Sequence, residues 1–216
     1  WDGTVFYADQ NNGYDEFSLD NTGFTTFSDQ PGRDTQDALG GSLKGVYMSE
    51  DYTFTTKTSG TSADSIYSFD SDWTFAADPR GYDLFLETQR EREVFNQEVR
   101  LDGQANPNFG EARWTVGAYY DSLDEDTFLT EGFGGASTEF NATTFAAFGQ
   151  WGQNLGDRTR LIAGLRAEDY DLETDIEFRG AYDFSDTLFG GKLTLEHDLA
   201  DGHLGFASVT RGYKAG

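Results

Sequence analysis

The sequence predicts an all-β fold: an antiparallel transmembrane β-barrel segment of about nine strands, with short turns on one side and long loops on the other. Three observations predict it. Apolar and polar residues alternate with period two along most of the chain. The connections between alternating stretches are short and long by turns. The positions opposite the apolar ones include ions of both signs, which suits a wet lumen.

The strands are read over residues 4–9, 37–49, 52–67, 92–102, 112–124, 143–155, 159–173, 187–198 and 203–214. Turn signals separate them. Short connections fall at residues 50–51, 103–111, 156–158 and 199–202; long, acidic, aromatic-bearing ones fall at 10–36, 68–91, 125–142 and 174–186. A soluble sandwich has no reason to gather its long loops at one end. An outer-membrane barrel does, because its turns face the periplasm and its loops face outside.

The fifth strand puts Trp114, Val116, Ala118 and Tyr120 on one side, with Arg113, Thr115, Gly117, Tyr119 and Asp121 on the other. In the sixth, Phe145, Ala147, Gly149 and Trp151 oppose Thr144, Phe148, Gln150 and Asn154. In the seventh, Leu161, Ala163, Leu165 and Ala167 oppose Arg160, Ile162, Gly164, Arg166 and Glu168. Aligning these last two apolar sets requires Leu155 to pair with Thr159 across Gly156-Asp157-Arg158. A three-residue loop usually wants glycine in its last, left-handed position, and Arg158 is not that. The turn at Ala200-Asp201-Gly202 meets the rule better.

Composition narrows the class further. Of 216 residues, 37% are hydrophobic and 16% aromatic, too little apolar content for a large two-sided core and enough aromatics for an exposed belt. The net charge of −24 excludes nucleic acid as a partner, since phosphate binding needs a basic face. With no cysteine there is neither a disulfide framework nor thiol chemistry. No run of about 18 apolar residues exists to form a transmembrane helix, but a barrel strand needs only about 9–11 alternating residues. The opening "WDGTVFYAD" reads as mid-strand, so the chain is expected to be a piece of something longer.

Glu98, Arg100, Arg113, Arg160, Arg166, Glu168, Lys192 and Glu196 share the face opposite the apolar one and are the candidate lumen-facing set. Trp114, Val116, Tyr120, Phe145, Trp151, Leu161 and Leu165 are the candidate lipid-facing set. Trp114 and Trp151 lie near the short-turn ends, where an interfacial girdle belongs.

Five segments in order, "FNQEVRLDG" (95–103), "RWTVGAYYD" (113–121), "FAAFGQWGQNLGDRTRLIAGLRAEDY" (145–170), "GGKLTLEHDL" (190–199) and "FASVTRGYKAG" (206–216), resemble successive barrel strands of TonB-dependent outer-membrane receptors. Residues 11–36 resemble the long outward loop of the siderophore-receptor branch. Gln153 stands where that family commonly has an aromatic, and Phe206 where Tyr is usual. The resemblance implies part of a 22-stranded barrel, with no plug domain in these residues. It implies an active-transport receptor in the outer membrane of a Gram-negative bacterium, taking up a ferric siderophore or similar large nutrient. The TonB complex, acting through the plug, and outer-membrane lipid are the implied partners, and no covalent chemistry is done on the ligand.

For binding, the loops offer Tyr14, Phe17, Phe24, Phe27 and Arg33, then Phe69, Trp73, Arg80 and Tyr82. Aromatic faces pack on apolar or catecholate surfaces, and Arg pairs with anions. The lumen charges are expected to form salt bridges with one another or with the plug. No resident cofactor or metal is expected, although Asp121, Asp124, Glu125, Asp126, Glu173 and Asp175 supply oxygens of the kind Ca²⁺ takes, without EF-hand spacing. No G-x-S-x-G or H-E-x-x-H motif is present, so an enzyme is not expected. A passive porin-like channel and a soluble or surface β-protein binding carbohydrate or calcium are the alternatives.

Overall fold

The computed structural model describes residues 1–18, 23, 25–79, 83–106, 110–132 and 134–214. They form β1 (Asp2–Asn11), β2 (Arg33–Met48), β3 (Tyr52–Asp70), β4 (Phe85–Ala105), β5 (Ala112–Glu131), β6 (Gly134–Asn154), β7 (Thr159–Ile176), β8 (Gly180–Ala200) and β9 (His203–Arg211). Each strand pairs antiparallel with its neighbour in the chain, giving one nine-stranded sheet in the order β1 to β9.

A sheet with an apolar face must bury it against another layer. None is here: among the described residues the buried apolar side chains are Ala38, Ala112 and Ala146 alone. Val116, Leu165, Leu193 and Val209 stay 47%, 76%, 52% and 77% exposed to whatever surrounds the protein. In water such a surface has no counterpart in stable monomers. In a bilayer it is the solvated face.

Register makes that face continuous. Leu101, Val116, Gly149, Leu165 and Gly191 are opposite one another across five strands, and Gly103, Trp114, Trp151, Ala163 and Leu193 form the row below. The Trp114 indole lies over Gly103, where a Cβ would come within 2.4 Å of the ring, so only glycine admits it. Two aromatic girdles bound the belt. On the short-turn side Trp114 faces Trp151, and Tyr47 and Tyr52 stack across the first turn at 6.4 Å. On the long-loop side Phe95 meets Tyr120 at 6.3 Å, and Tyr120 faces Phe145. Trp114 and Tyr120 are about 20 Å apart along their strand.

The β6–β7 register is the one the alternation requires, with the Leu155 N–H donating to the Thr159 carbonyl at 2.8 Å. The loop differs from the usual three-residue pattern. Its left-handed residue is the first, Gly156 (φ 121°), so Arg158 needs no unusual backbone. At the last turn Gly202 (φ 77°) carries the left-handed conformation as expected, but the loop is tighter, with Ala200 opposite His203 and a bulge near Asp198. Gln153, the departure from the family's aromatic, is 5% exposed and clasps the β4–β5 turn. Its amide donates to the carbonyls of Gly110 (3.1 Å) and Asn154 (3.0 Å), two bonds at once that a Phe, Tyr or Trp ring cannot supply.

Two of the four long loops are not loops. β5 runs on to Glu131 with β6 beginning at Gly134, and β7 runs to Ile176 with β8 beginning at Gly180, so most of 125–142 and 174–186 is tall hairpin. β4 likewise begins at Phe85 rather than 92, and β9 ends at Arg211. The long connections that remain are residues 12–32 and 71–84. Acidic runs disguised the hairpins, because their alternation continues with the apolar positions moved to the other face.

Candidate functional site

The pleat places every expected lumen residue on the face opposite the belt. One cross-strand row reads Glu98, Tyr119, Ala146, Glu168, Leu188, and the next Arg100, Gly117, Phe148, Arg166, Gly190. Arg166 pairs with Glu168 at 2.7 Å and lies 5.7 Å from the centre of the Tyr119 ring. Tyr213, past the end of β9, crosses bare Gly190 and accepts from the Arg166 guanidinium through its hydroxyl at 2.8 Å. The same hydroxyl donates to Glu168 at 3.1 Å. Arg160 pairs with Glu196, and Arg100 with Asp102, a partner not anticipated. Glu98, Arg113 and Lys192 share the face without an ion pair among the described residues.

Above the upper girdle the sheet inverts. The face that carried the belt now presents Asp124, Asn141, Glu173 and Asp183 in a row, and below them Ser122, Thr143, Asp171 and Ser185. The inner face carries Val94, Leu123, Ala142, Leu172 and Phe184 opposite one another. Strands standing in water outside and lining a vestibule inside would read this way. The inversion splits the candidate Ca²⁺ oxygens: Asp121 and Glu125 face inward, whereas Asp124, Asp126, Glu173 and Asp175 face outward. Among the described residues no group of His, Cys, Asp or Glu converges as a metal site would need.

The first two loops build an aromatic cluster on this inner wall. Tyr67 and Phe69 project from β3 on the inner face, 5.6 Å apart. Phe17 meets Phe69 edge-on at 5.5 Å and Trp73 at 5.6 Å. The Tyr67 hydroxyl donates to Asp15 at 2.8 Å, and that bond to a carboxylate raises its pKa. Trp73 holds its ring there at φ 61°, a left-handed backbone that costs a bulky residue about 1–2 kcal/mol. Of the candidate ligand residues, Phe17, Phe69 and Trp73 come together. Tyr14 and Phe27 stay exposed without ring partners among the described residues, and Arg33 lies on the outer face opposite Ser68. Phe24, Arg80 and Tyr82 lie outside the described residues. Tyr67 was missed, although "YSF" continues the period of β3 and puts Tyr67 and Phe69 on one side.

Asp70 ties the two loops together. It is 3% exposed and accepts from the backbone N–H groups of Asp29 (3.0 Å) and Asp72 (3.3 Å), while the Asp29 carboxylate accepts from Ala76 N–H (3.0 Å). Burial raises the Asp70 pKa, the neighbouring Asp72 adds to this, and the Asp29 N–H opposes it. A carboxyl whose folded pKa exceeds its unfolded one binds more protons when folded between the two values. Its contribution to loop stability therefore falls as pH rises through that window. Amide exchange corrected for intrinsic rates should show residues 71–79 loosening with rising pH, and Asp70→Asn should abolish the trend while keeping an acceptor for one of the two backbone amides. Asp70→Ala should open the loops at every pH, because two amides lose their acceptor at about 1–3 kcal/mol.

Comparison with known proteins places this architecture. A family model described as "TonB dependent receptor-like, beta-barrel" matches residues 1–216. The fold resembles the ferric yersiniabactin uptake receptor FyuA from Yersinia pestis (TM-score 0.64, 14% identity, 84% of this chain and 28% of that one). It also resembles the siderophore receptor PiuA from Acinetobacter baumannii (0.66, 12%, 86% and 33%) and the copper transporter OprC (0.63, 16%, 83% and 30%). The chain thus spans about a third or less of each of those chains. No curated relative matches the sequence significantly. An unclosed sheet with an apolar outer belt, an ion-lined inner face and tall hairpins is a wall of such a barrel, and the chain belongs to the TonB-dependent receptor β-barrel family.

Proposed function

We propose that this chain is wall and mouth of an outer-membrane receptor that takes up a ferric siderophore, or a metal complex of similar size, energised through TonB. The single observation carrying the ligand role is the Phe17–Phe69–Trp73 cluster, with one ring held in a strained backbone on the inward face above the belt. Rings so placed offer flat apolar surface to a bulky chelate entering from outside. FyuA is a ferric yersiniabactin uptake receptor and PiuA a siderophore receptor, which supports the reading. Lower down, the Arg166–Glu168–Tyr213 network gives the plug a charged, mutually oriented wall to lie against.

Uptake of a labelled ferric chelate by cells expressing the full-length receptor tests this. Accumulation that requires both the receptor and TonB is expected. Entry that persists at full rate without TonB would instead make it a passive channel.

A further inference from the structure

Resting on the receptor reading, the sheet's upper inner face specifies what kind of chelate fits. Above the girdle that face presents carboxylates at Asp34, Asp121, Glu125, Glu131 and Asp186, and guanidinium groups at Arg90 and Arg92. Both guanidiniums are held by one carboxylate. Glu125 stands directly opposite Arg92, which donates to it through Nε at 2.6 Å, and Arg90 Nε lies 3.1 Å from its other oxygen. The Glu125 side chain is 16% exposed and the two arginines 43% and 47%, so the cations reach toward the vestibule with one carboxylate shared between them. Between them and the far hairpin runs the apolar row of Val94, Leu123, Ala142, Leu172 and Phe184, with the Tyr170 ring 6.4 Å from that of Phe184.

We propose that this wall selects uncharged or cationic metal chelates with an apolar body over polyanionic ones, and that Glu125 sets the bias by occupying Arg90 and Arg92. A multiply anionic chelate approaching here meets, among the described residues, five carboxylates and hydrocarbon against two guanidiniums that already share Glu125, so little replaces its lost hydration. An uncharged chelate sheds little hydration and gains the apolar row.

Two probes of similar size and opposite character test the assignment: an uncharged ferric tris-hydroxamate and a trianionic ferric tris-catecholate, bound to the purified full-length receptor. The wild type is expected to prefer the uncharged probe, and added salt should improve binding of the anionic one by screening repulsion. Glu125→Gln frees both guanidiniums, and the anionic-to-uncharged affinity ratio should rise by about tenfold, the scale of one charge contact at a partly solvated site. Adding Arg90→Gln and Arg92→Gln to that variant should remove the gain. A wild type that prefers the anionic probe and loses it with salt overturns the proposal, whatever the variants do. So does an unchanged ratio in a Glu125→Gln receptor that still shows folded-barrel gel migration. Binding of neither probe counts against the receptor reading itself, and against this proposal with it.

Discussion

Leu165→Arg is expected to cost the barrel about 2–4 kcal/mol, enough to deplete the folded receptor from the membrane. Leu165 lies inside the belt portion of β7, one row above Ala163 and between Gly149 and Gly191, and its side chain is among the most exposed of the large apolar residues. With glycine on both flanks, a guanidinium there has no neighbouring side chain to shelter or pair with it. Snorkelling to the nearer interface is a reach of roughly 7 Å along the strand, and to the farther one about 13 Å. The same substitution at Leu195, on the same face opposite Leu161 and below the Trp151–Ala163–Leu193 row, should cost about 0–1 kcal/mol, because the penalty fades toward the interface. Unfolding in lipid vesicles by denaturant, followed by loss of the compact band on unheated gels, measures both. Equal costs at the two positions would mean that depth in a bilayer is not what decides.

The second large effect concerns the ligand. Phe69→Ala and Trp73→Ala together should weaken binding of the transported chelate by roughly 30- to 150-fold, since each ring face contributes about 1–1.5 kcal/mol beyond its area. Barrel stability should hardly change, because neither ring touches the belt. If the rings served only to pin loop 12–32 onto β3, the double variant would increase proteolysis of that loop and leave affinity intact. Tyr67→Phe separates the two roles. It removes the bond to Asp15 but keeps the aromatic surface, so it should loosen the loop with little effect on affinity.

The belt could be read from the residues because both requirements on it are local. The pleat alternates faces, and hydrocarbon demands an apolar side chain at every second position, as Trp114, Val116 and Tyr120 show. The pairing of Leu155 with Thr159 followed from the same demand, even against the ordinary preference for where a loop glycine goes. The tall hairpins were hidden for a physical reason. At the membrane surface the outside of the sheet changes from lipid to water, so Asp124 and Asp126 succeed Tyr120 on one face while Leu123 and Leu129 continue on the other. A segment that reverses its pattern midway looks like the end of a strand. The Phe17–Trp73 contact had no local signal, since it joins two loops through the register of β2 with β3. The Asp70 staple was equally hidden, as it binds backbone amides that sequence leaves anonymous.

The most direct test of the account is solvent access along β7. Single cysteines placed at each position from 161 to 168 of the full-length receptor, in a segment that has none of its own, can carry nitroxide labels in lipid bilayers. Labels at 161, 163, 165 and 167 are predicted to collide with oxygen dissolved in hydrocarbon and to be shielded from a water-soluble nickel chelate. Those at 162, 164, 166 and 168 are predicted to lack the oxygen signal. Loss of that alternation, with the leucine positions shielded from both reagents as under a second layer of protein, would contradict the claim that lipid bathes this face.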